Sequence, residues 1–85
     1  MKYQVIVPKK VQREIDKIDN RFRLKIIAAL TILSGNPFLG KKLEGDYKGN
    51  WSFRVWPYRI IYRIKNEKMI VLIVKVGHRG GVYKK

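Results

Sequence analysis

Cysteine is absent from this 85-residue chain, and histidine occurs once. With no thiol and a single imidazole, the chain can form no disulfide and cannot assemble the usual nitrogen and sulfur ligand set of a metal site, so no metal or other cofactor is expected. The lack of cysteine also fits a reducing compartment. Long apolar runs are missing too: no stretch approaches the roughly 18 residues needed to span a bilayer. The opening MKYQVIVPKK holds an apolar run that stops at Pro8, too short for the hydrophobic region of a signal peptide. The expectation is a soluble cytoplasmic protein. Acidic residues are the last scarcity, six Asp and Glu against 20 Lys and Arg, which leaves a net charge of +14.

That imbalance exceeds what solubility asks of a small domain, a net charge of about 2–8, and the surplus adds self-repulsion. It implies a polyanionic partner, either nucleic acid or an acidic protein. A membrane surface is disfavoured, because no basic amphipathic helix with a large exposed apolar face stands out. Apolar material is plentiful at 46% of residues, with 12% aromatic. This suffices for one core, and a chain of this length has room for a single domain, residues 1–85.

Alternation of Tyr3, Val5 and Val7 with Lys2 and Gln4 predicts a short strand. Pro8 suits the first turn of a helix, where its missing N–H costs nothing. Val11, Ile15 and Ile18 then form one apolar stripe on a helix ending near Asp19 or Asn20. A second helix buries Phe22, Ile26, Ile27, Leu30 and Leu33, with Gly35 and Pro37 as its stop. Arg13, Lys17, Arg21, Arg23 and Lys25 decorate the outer faces of this hairpin. Residues 38–50, FLGKKLEGDYKGN, hold three glycines and read as an irregular connection with one short extended piece. Three strand-like runs follow, Trp51 to Val55, Tyr58 to Ile64 and Met69 to Val76, separated by Trp56-Pro57 and by residues 65–68. Such short connections demand antiparallel neighbours. The predicted fold class is α+β, in the order β-α-α-β-β-β, with a two-helix hairpin packed on one face of an antiparallel sheet.

Strand parity then sorts the side chains. With Trp56-Pro57 as a two-residue loop, Val55 faces Tyr58 and Arg54 faces Arg59; with Ile64 opposite Met69, the core face collects Trp51, Phe53, Val55, Tyr58, Ile60, Tyr62, Ile64, Met69, Val71 and Ile73. The opposite face collects Ser52, Arg54, Arg59, Ile61 and Arg63, beside Ile70, Leu72 and Val74. Arg54 directly across from Arg59 destabilises a sheet unless something anionic sits there. The planar donor forks match phosphate oxygens and stabilise charge developing during phosphoryl chemistry. A plainer reading has both side chains splaying into solvent or pairing with Glu44 or Asp46; for Arg63 an ordinary solvated role fits best. Gly77 is expected to break the last strand and to place His78 and Arg79 just past its end. A lone histidine is more often structural than catalytic, but its titration near neutrality suits acid or base work, and Arg79 beside it could hold the same phosphate. Gly80 and Gly81 would let the chain fold Tyr83 back toward the arginines, as a proton donor, an orienting group or simply a C-terminal anchor.

The segments WSFRV, YRIIYRI and VLIVKVGHRGGVY together resemble the C-terminal half of RelE/ParE superfamily toxins, and the element order matches as well. The resemblance covers the whole chain and is specific from about Leu43 to Tyr83. It implies, for the RelE branch, a metal-independent, ribosome-dependent endonuclease that cuts mRNA in the A site by attack of a ribose 2′-hydroxyl on the adjacent phosphodiester. Position by position, it implies that Arg54 contacts the scissile phosphate region, that Arg59 stabilises the transition state, and that Arg79 assists the leaving group or phosphate. Tyr83 matches the terminal tyrosine that orients substrate and takes part in proton transfer. His78 falls where other members carry lysine or histidine, and it is the side chain expected to act as acid or base. Two departures accompany the match: Ser52 stands where some members carry a second lysine, and Trp56-Pro57 replaces a Gly-Asp turn, a change compatible with a cis peptide bond and with a shifted Arg54–Arg59 register.

The implied partners are the ribosome, its mRNA and a cognate acidic antitoxin, RelB-like or of another family, which would wrap the helices and cover the arginine face. Two other functions fit the same chain. The ParE branch shares the fold and poisons DNA gyrase by protein contact, for which Arg54, Arg59, Arg79 and Tyr83 would not be needed as a set. A non-catalytic RNA- or ribosome-binding module could stack bases on Trp51, Trp56 and Tyr83 while lysines track phosphates.

Overall fold

The computed structural model describes residues 2–78. Strand β1 (Gln4–Ile6) leads into helix α1 (Lys9–Asp16), whose Pro8 stands one position ahead of the first helical residue and accepts the Gln12 N–H at 2.9 Å. Helix α2 (Asn20–Gly35) starts at Asp19, whose carboxylate accepts the Arg21 N–H at 3.0 Å and satisfies one orphan donor of the first turn. Its pKa is lowered by that backbone N–H and by the Arg21 side chain. Gly35 remains inside α2, and Asn36 ends it: its N–H bonds to Ile32 O, while its side chain accepts the Phe38 N–H at 3.1 Å and opens a short 3-10 turn, Pro37–Leu39.

Strands β2 (Lys41–Lys42), β3 (Trp51–Val55), β4 (Tyr58–Lys65) and β5 (Ile70–His78) complete a five-stranded sheet in the order β1-β5-β4-β3-β2. The helix pair carries the chain from one edge of the sheet to the other, and four antiparallel strands bring it back beside β1. Contrary to the expected all-antiparallel sheet, β1 therefore runs parallel to β5, with Val5 opposite Val71. Pairing between chain ends 66 residues apart cannot be inferred from short loops, which dictate only the hand of neighbours in sequence.

Core side chains come from both layers: Val11, Ile15, Ile18, Ile26, Ala29 and Leu33 of the helical layer meet Ile60, Tyr62, Val71, Ile73 and Val76 of the sheet. Burying each large aliphatic stabilises the fold by about 1.5–3 kcal/mol. Ile27, expected in the stripe of α2, is instead 49% exposed, and Ala29 takes the inward position on the line through Ile26 and Leu33. Tyr62 is fully buried and its hydroxyl donates to Pro37 O at 2.7 Å, tying the turn after α2 to the middle of the sheet. Desolvation pushes this phenol up to about 12, against a smaller downward pull from the Gly40 backbone N–H.

The β4–β5 hairpin departs from the expected register. Ile64 pairs with Val71 rather than Met69, a shift of two that leaves side-chain parity intact. A bulge then intervenes, because Tyr62 pairs with Ile73 but Ile61 pairs with Lys75, leaving Val74 as the extra residue. Unbroken alternation from Val71 and Ile73 would drive Lys75 into the core. The bulge puts Val76 there instead, 3% exposed. Above β1 the outer edge of β5 is closed by α1, where Glu14 accepts the Val76 N–H at 3.1 Å and lies 3.9 Å from Lys75 Nζ.

Candidate functional site

On the sheet face turned away from the helices, the pairings build two rows of side chains. One runs Lys41, Ser52, Ile61, Lys75; the next runs Arg54, Arg59, Gly77. The predicted Arg54–Arg59 opposition is present, with Val55 across from Tyr58, although the Trp56–Pro57 bond is cis. Pairing on β3 and β4 is fixed by Trp51 opposite Tyr62 and Phe53 opposite Ile60, four large rings and chains that all need the core. The turn adapts to that register.

The arginine pair lines a shallow concavity of about 280 Å³ whose other walls include Leu39, Gly40, Lys41 and Ser52. Arg54 is exposed, whereas Arg59 is half-buried with its Nε shielded from solvent. Ser52 is buried at 4% exposure and Ile61 at 5%, so the floor of this face is desolvated beneath the cations. A half-buried guanidinium near a second one raises the local potential and favours a ligand with several anionic oxygens. Gly40 fits tightly there: a Cβ on it would lie 2.7 Å from Ser52 O. Arg63, farther along β4, is exposed as expected, and its Nε donates to Asn50 Oδ1 at 2.8 Å. Among the described residues no group of three His, Asp or Glu side chains is placed to hold a metal ion.

His78 is placed differently from the expectation. Gly77 does not break β5 but pairs with Arg59, and His78 is the last strand residue, directly opposite Tyr58. Its ring sits edge-on to Tyr58 at 5.7 Å between centroids, and Tyr58 packs in turn on Phe22 of α2 at 5.7 Å. The bulge at Val74 is the cause, since it reverses the parity of everything after it and turns His78 to the helix-bearing face. Arg79 and Tyr83 lie outside the described residues. Sequence reasoning did not single out Gly40 and Lys41 as walls of the concavity; the available signal was the double lysine after a glycine in the short extended piece.

Known proteins share this fold. A family model described as the ParE toxin of the parDE type II toxin-antitoxin system matches residues 5–83. Toxin RelG of Mycobacterium tuberculosis is 32% identical over 87 residues, spanning all of both chains. Among solved structures, a chain of the toxin-antitoxin complex RelBE2 from Mycobacterium tuberculosis superposes with a TM-score of 0.86 at 31% identity, covering 93% of this chain and 100% of that one. A chain of the archaeal RelE-RelB complex from Pyrococcus horikoshii follows with a TM-score of 0.81 at 25% identity, covering 94% and 98%. No helix among the described residues is long and apolar enough to cross a membrane. With a family model spanning nearly its whole length and a full-length toxin relative, this chain belongs to the RelE/ParE superfamily of type II toxin-antitoxin toxins.

Proposed function

We propose that this toxin is a metal-independent endoribonuclease that cuts mRNA in the A site of the ribosome, in the cytoplasm, and that a cognate acidic antitoxin, RelB-like or of another family, neutralises it. The observation that carries the reading is the Arg54–Arg59 pair set in a concavity beside Lys41, on a face free of the helices. In the reaction, the ribose 2′-hydroxyl loses its proton and its oxygen attacks the adjacent phosphorus; the bond to the 5′-oxygen breaks, that oxygen takes a proton, and a 2′,3′-cyclic phosphate and a 5′-hydroxyl result. Arg54 grips the phosphate from the solvent side. Arg59, less hydrated, bears on the extra negative charge of the pentacovalent transition state, where a fixed donor in a desolvated site is worth most.

Gly77 stands beside Arg59, so β5 delivers the chain to the arginine pair and Arg79 follows two residues later. We assign Arg79 to the phosphate or leaving group and Tyr83 to substrate orientation and proton transfer. His78, turned toward Tyr58, orders the end of β5 in this scheme; direct acid or base action would require it to leave that ring. The net charge of +14 supports both polyanionic partners, ribosomal RNA with its mRNA and an acidic antitoxin.

Purified toxin incubated with 70S ribosomes on a defined mRNA, with cleavage mapped by primer extension, tests the reading. Native protein should cut within the A-site codon. Arg59→Ala should lower the single-turnover rate by about 10²–10³, the usual cost of removing one such donor, while co-sedimenting with ribosomes nearly as well as native. The ParE description of the matching family model favours a second reading, gyrase inhibition. Absence of cleavage with a folded, antitoxin-free preparation, together with loss of DNA supercoiling activity when it is added to gyrase, would establish that one instead.

A further inference from the structure

In the cleavage reaction the attacking 2′-oxygen and the departing 5′-oxygen stand roughly in line on opposite sides of the phosphorus, so a group is needed on each side. Sheet order puts β2 beside β3 and β5 beside β4, and Lys41 and Gly77 therefore flank the Arg54–Arg59 pair from opposite directions. Lys41 pairs with Ser52, shares its face, and lines the same concavity as the two arginines. From the strand spacing and two residues of rise, its Cα lies roughly 8 Å from that of Arg54, a gap that two long side chains close over one phosphate.

Gly40 sets the approach of this strand: a Cβ there would lie 2.7 Å from Ser52 O, so the chain entering Lys41 is pressed against β3. Ser52 is buried and leaves the surface above it to its neighbours. Lys41 is exposed, and among the described residues no ion pair or side-chain hydrogen bond engages its ammonium. The other cation of its row, Lys75, lies 3.9 Å from the Glu14 carboxylate at the far edge. Lys42, next in the chain and equally exposed, pairs with Trp51 and so belongs to the opposite face.

We infer that Lys41 is a catalytic residue of this toxin, its ammonium donating a hydrogen bond to the 2′-oxygen as that atom turns from hydroxyl to nucleophile. The inference rests on the nuclease reading and supplies its attacking side. The 2′-hydroxyl proton passes to water, which reaches the exposed lysine; the O2′–P bond forms, the P–O5′ bond breaks, and O5′ takes up a proton through Tyr83, which regains one from water. A compact ammonium with three rotatable donors suits a single oxygen, whereas the planar guanidinium forks match the paired oxygens of the phosphate. It acts where negative charge develops.

Single-turnover cleavage on programmed 70S ribosomes tests the role, comparing native toxin with Lys41→Met, Lys41→Arg and Lys42→Met. Each is run on two mRNAs, one natural and one with sulfur in place of the 5′-oxygen at the scissile bond. Sulfur departs without protonation, so a defect on the leaving side is relieved on that mRNA and a defect on the attacking side persists. Lys41→Met keeps most of the stem and removes the charge; it should be slower by about 10²-fold on both mRNAs, the low end of the cost of one such donor, with the ribosome concentration for half-maximal rate unchanged. Lys41→Arg should recover part of the rate, and Lys42→Met should match native protein. Circular dichroism of each variant checks the fold, which an exposed lysine should leave unaltered. A native rate for Lys41→Met, with Arg59→Ala still slow, overturns the inference and spares the nuclease. Relief of the Lys41→Met defect by sulfur places Lys41 at the leaving group and overturns it too. A defect that vanishes at saturating ribosomes makes Lys41 a ribosome contact and refutes the catalytic role. Absence of cutting by native protein removes the nuclease and this role together.

Discussion

Replacing Gly40 with alanine should be among the most destabilising single-methyl changes available in this fold. A Cβ there would lie 2.1 Å from the Tyr62 hydroxyl oxygen and 2.7 Å from Ser52 O. Neither neighbour can yield cheaply, because Tyr62 is fully buried and hydrogen-bonded to Pro37 O, and Ser52 is backbone in the paired strand β3. Displacing the phenol leaves buried polar groups without partners, at about 1–3 kcal/mol. Overpacking against the strand adds about 1–3 kcal/mol. The sum, roughly 2–6 kcal/mol, is a large share of the approximately 4–13 kcal/mol expected for a domain of this length. At roughly 4–8 °C per kcal/mol it lowers Tm by about eight degrees or more. Urea unfolding of native, Gly40→Ala, Tyr62→Phe and the double variant measures both the cost and its origin. Tyr62→Phe removes the nearer oxygen, so the double variant should be more stable than additivity allows by about 1 kcal/mol, a coupling typical of residues in contact. A cost for Gly40→Ala below about 0.5 kcal/mol, or strict additivity with Tyr62→Phe, would falsify this account of the packing.

Alkaline pH offers an independent check on the same phenol. Its folded pKa of about 12 lies above the unperturbed 10, so its contribution is fully present below pH 10 and is lost as pH rises toward 12, by at most about 1.4 kcal/mol per pH unit. The stability difference between native and Tyr62→Phe should shrink between pH 10 and 12, and a constant difference would mean the phenol is not held neutral by burial. At the sheet edge, Glu14→Ala strips the buried Val76 N–H of its acceptor and should cost about 1–3 kcal/mol in chemical denaturation. Glu14→Gln keeps an acceptor oxygen and should cost clearly less; equal losses would point to the Lys75 ion pair instead. Two further alanines separate space from backbone conformation, since nothing stands within 4 Å of a Cβ at either Gly35 or Gly49, but Gly49 has φ +93°. Gly35→Ala in α2 should raise stability by about 0.5–1 kcal/mol, whereas Gly49→Ala should lower it by about 1–2 kcal/mol through strain alone; thermal unfolding reads both, and like signs would contradict the argument.

Local pattern in the sequence already carried the charge and its polyanionic implication, both helices, the β3–β4–β5 meander and the arginine opposition. These depend on short-range periodicity and on loops too short to allow any but an antiparallel return. The resemblance carried by WSFRV, YRIIYRI and VLIVKVGHRGGVY pointed to the superfamily to which the chain belongs, because those segments combine the core alternation of three strands with the cations that alternate against it. Tertiary structure decided the rest. The parallel pairing of β1 with β5 joins residues 66 apart, and only the path of the helices across the sheet brings them together. Likewise, the bulge at Val74 follows from core packing that must accept Val76 and exclude Lys75, and this one inserted residue moves His78 from the arginine face to Tyr58. A period-2 reading has no means of registering an inserted residue, because what fixes the phase of a strand is the neighbour it pairs with and the core it has to fill.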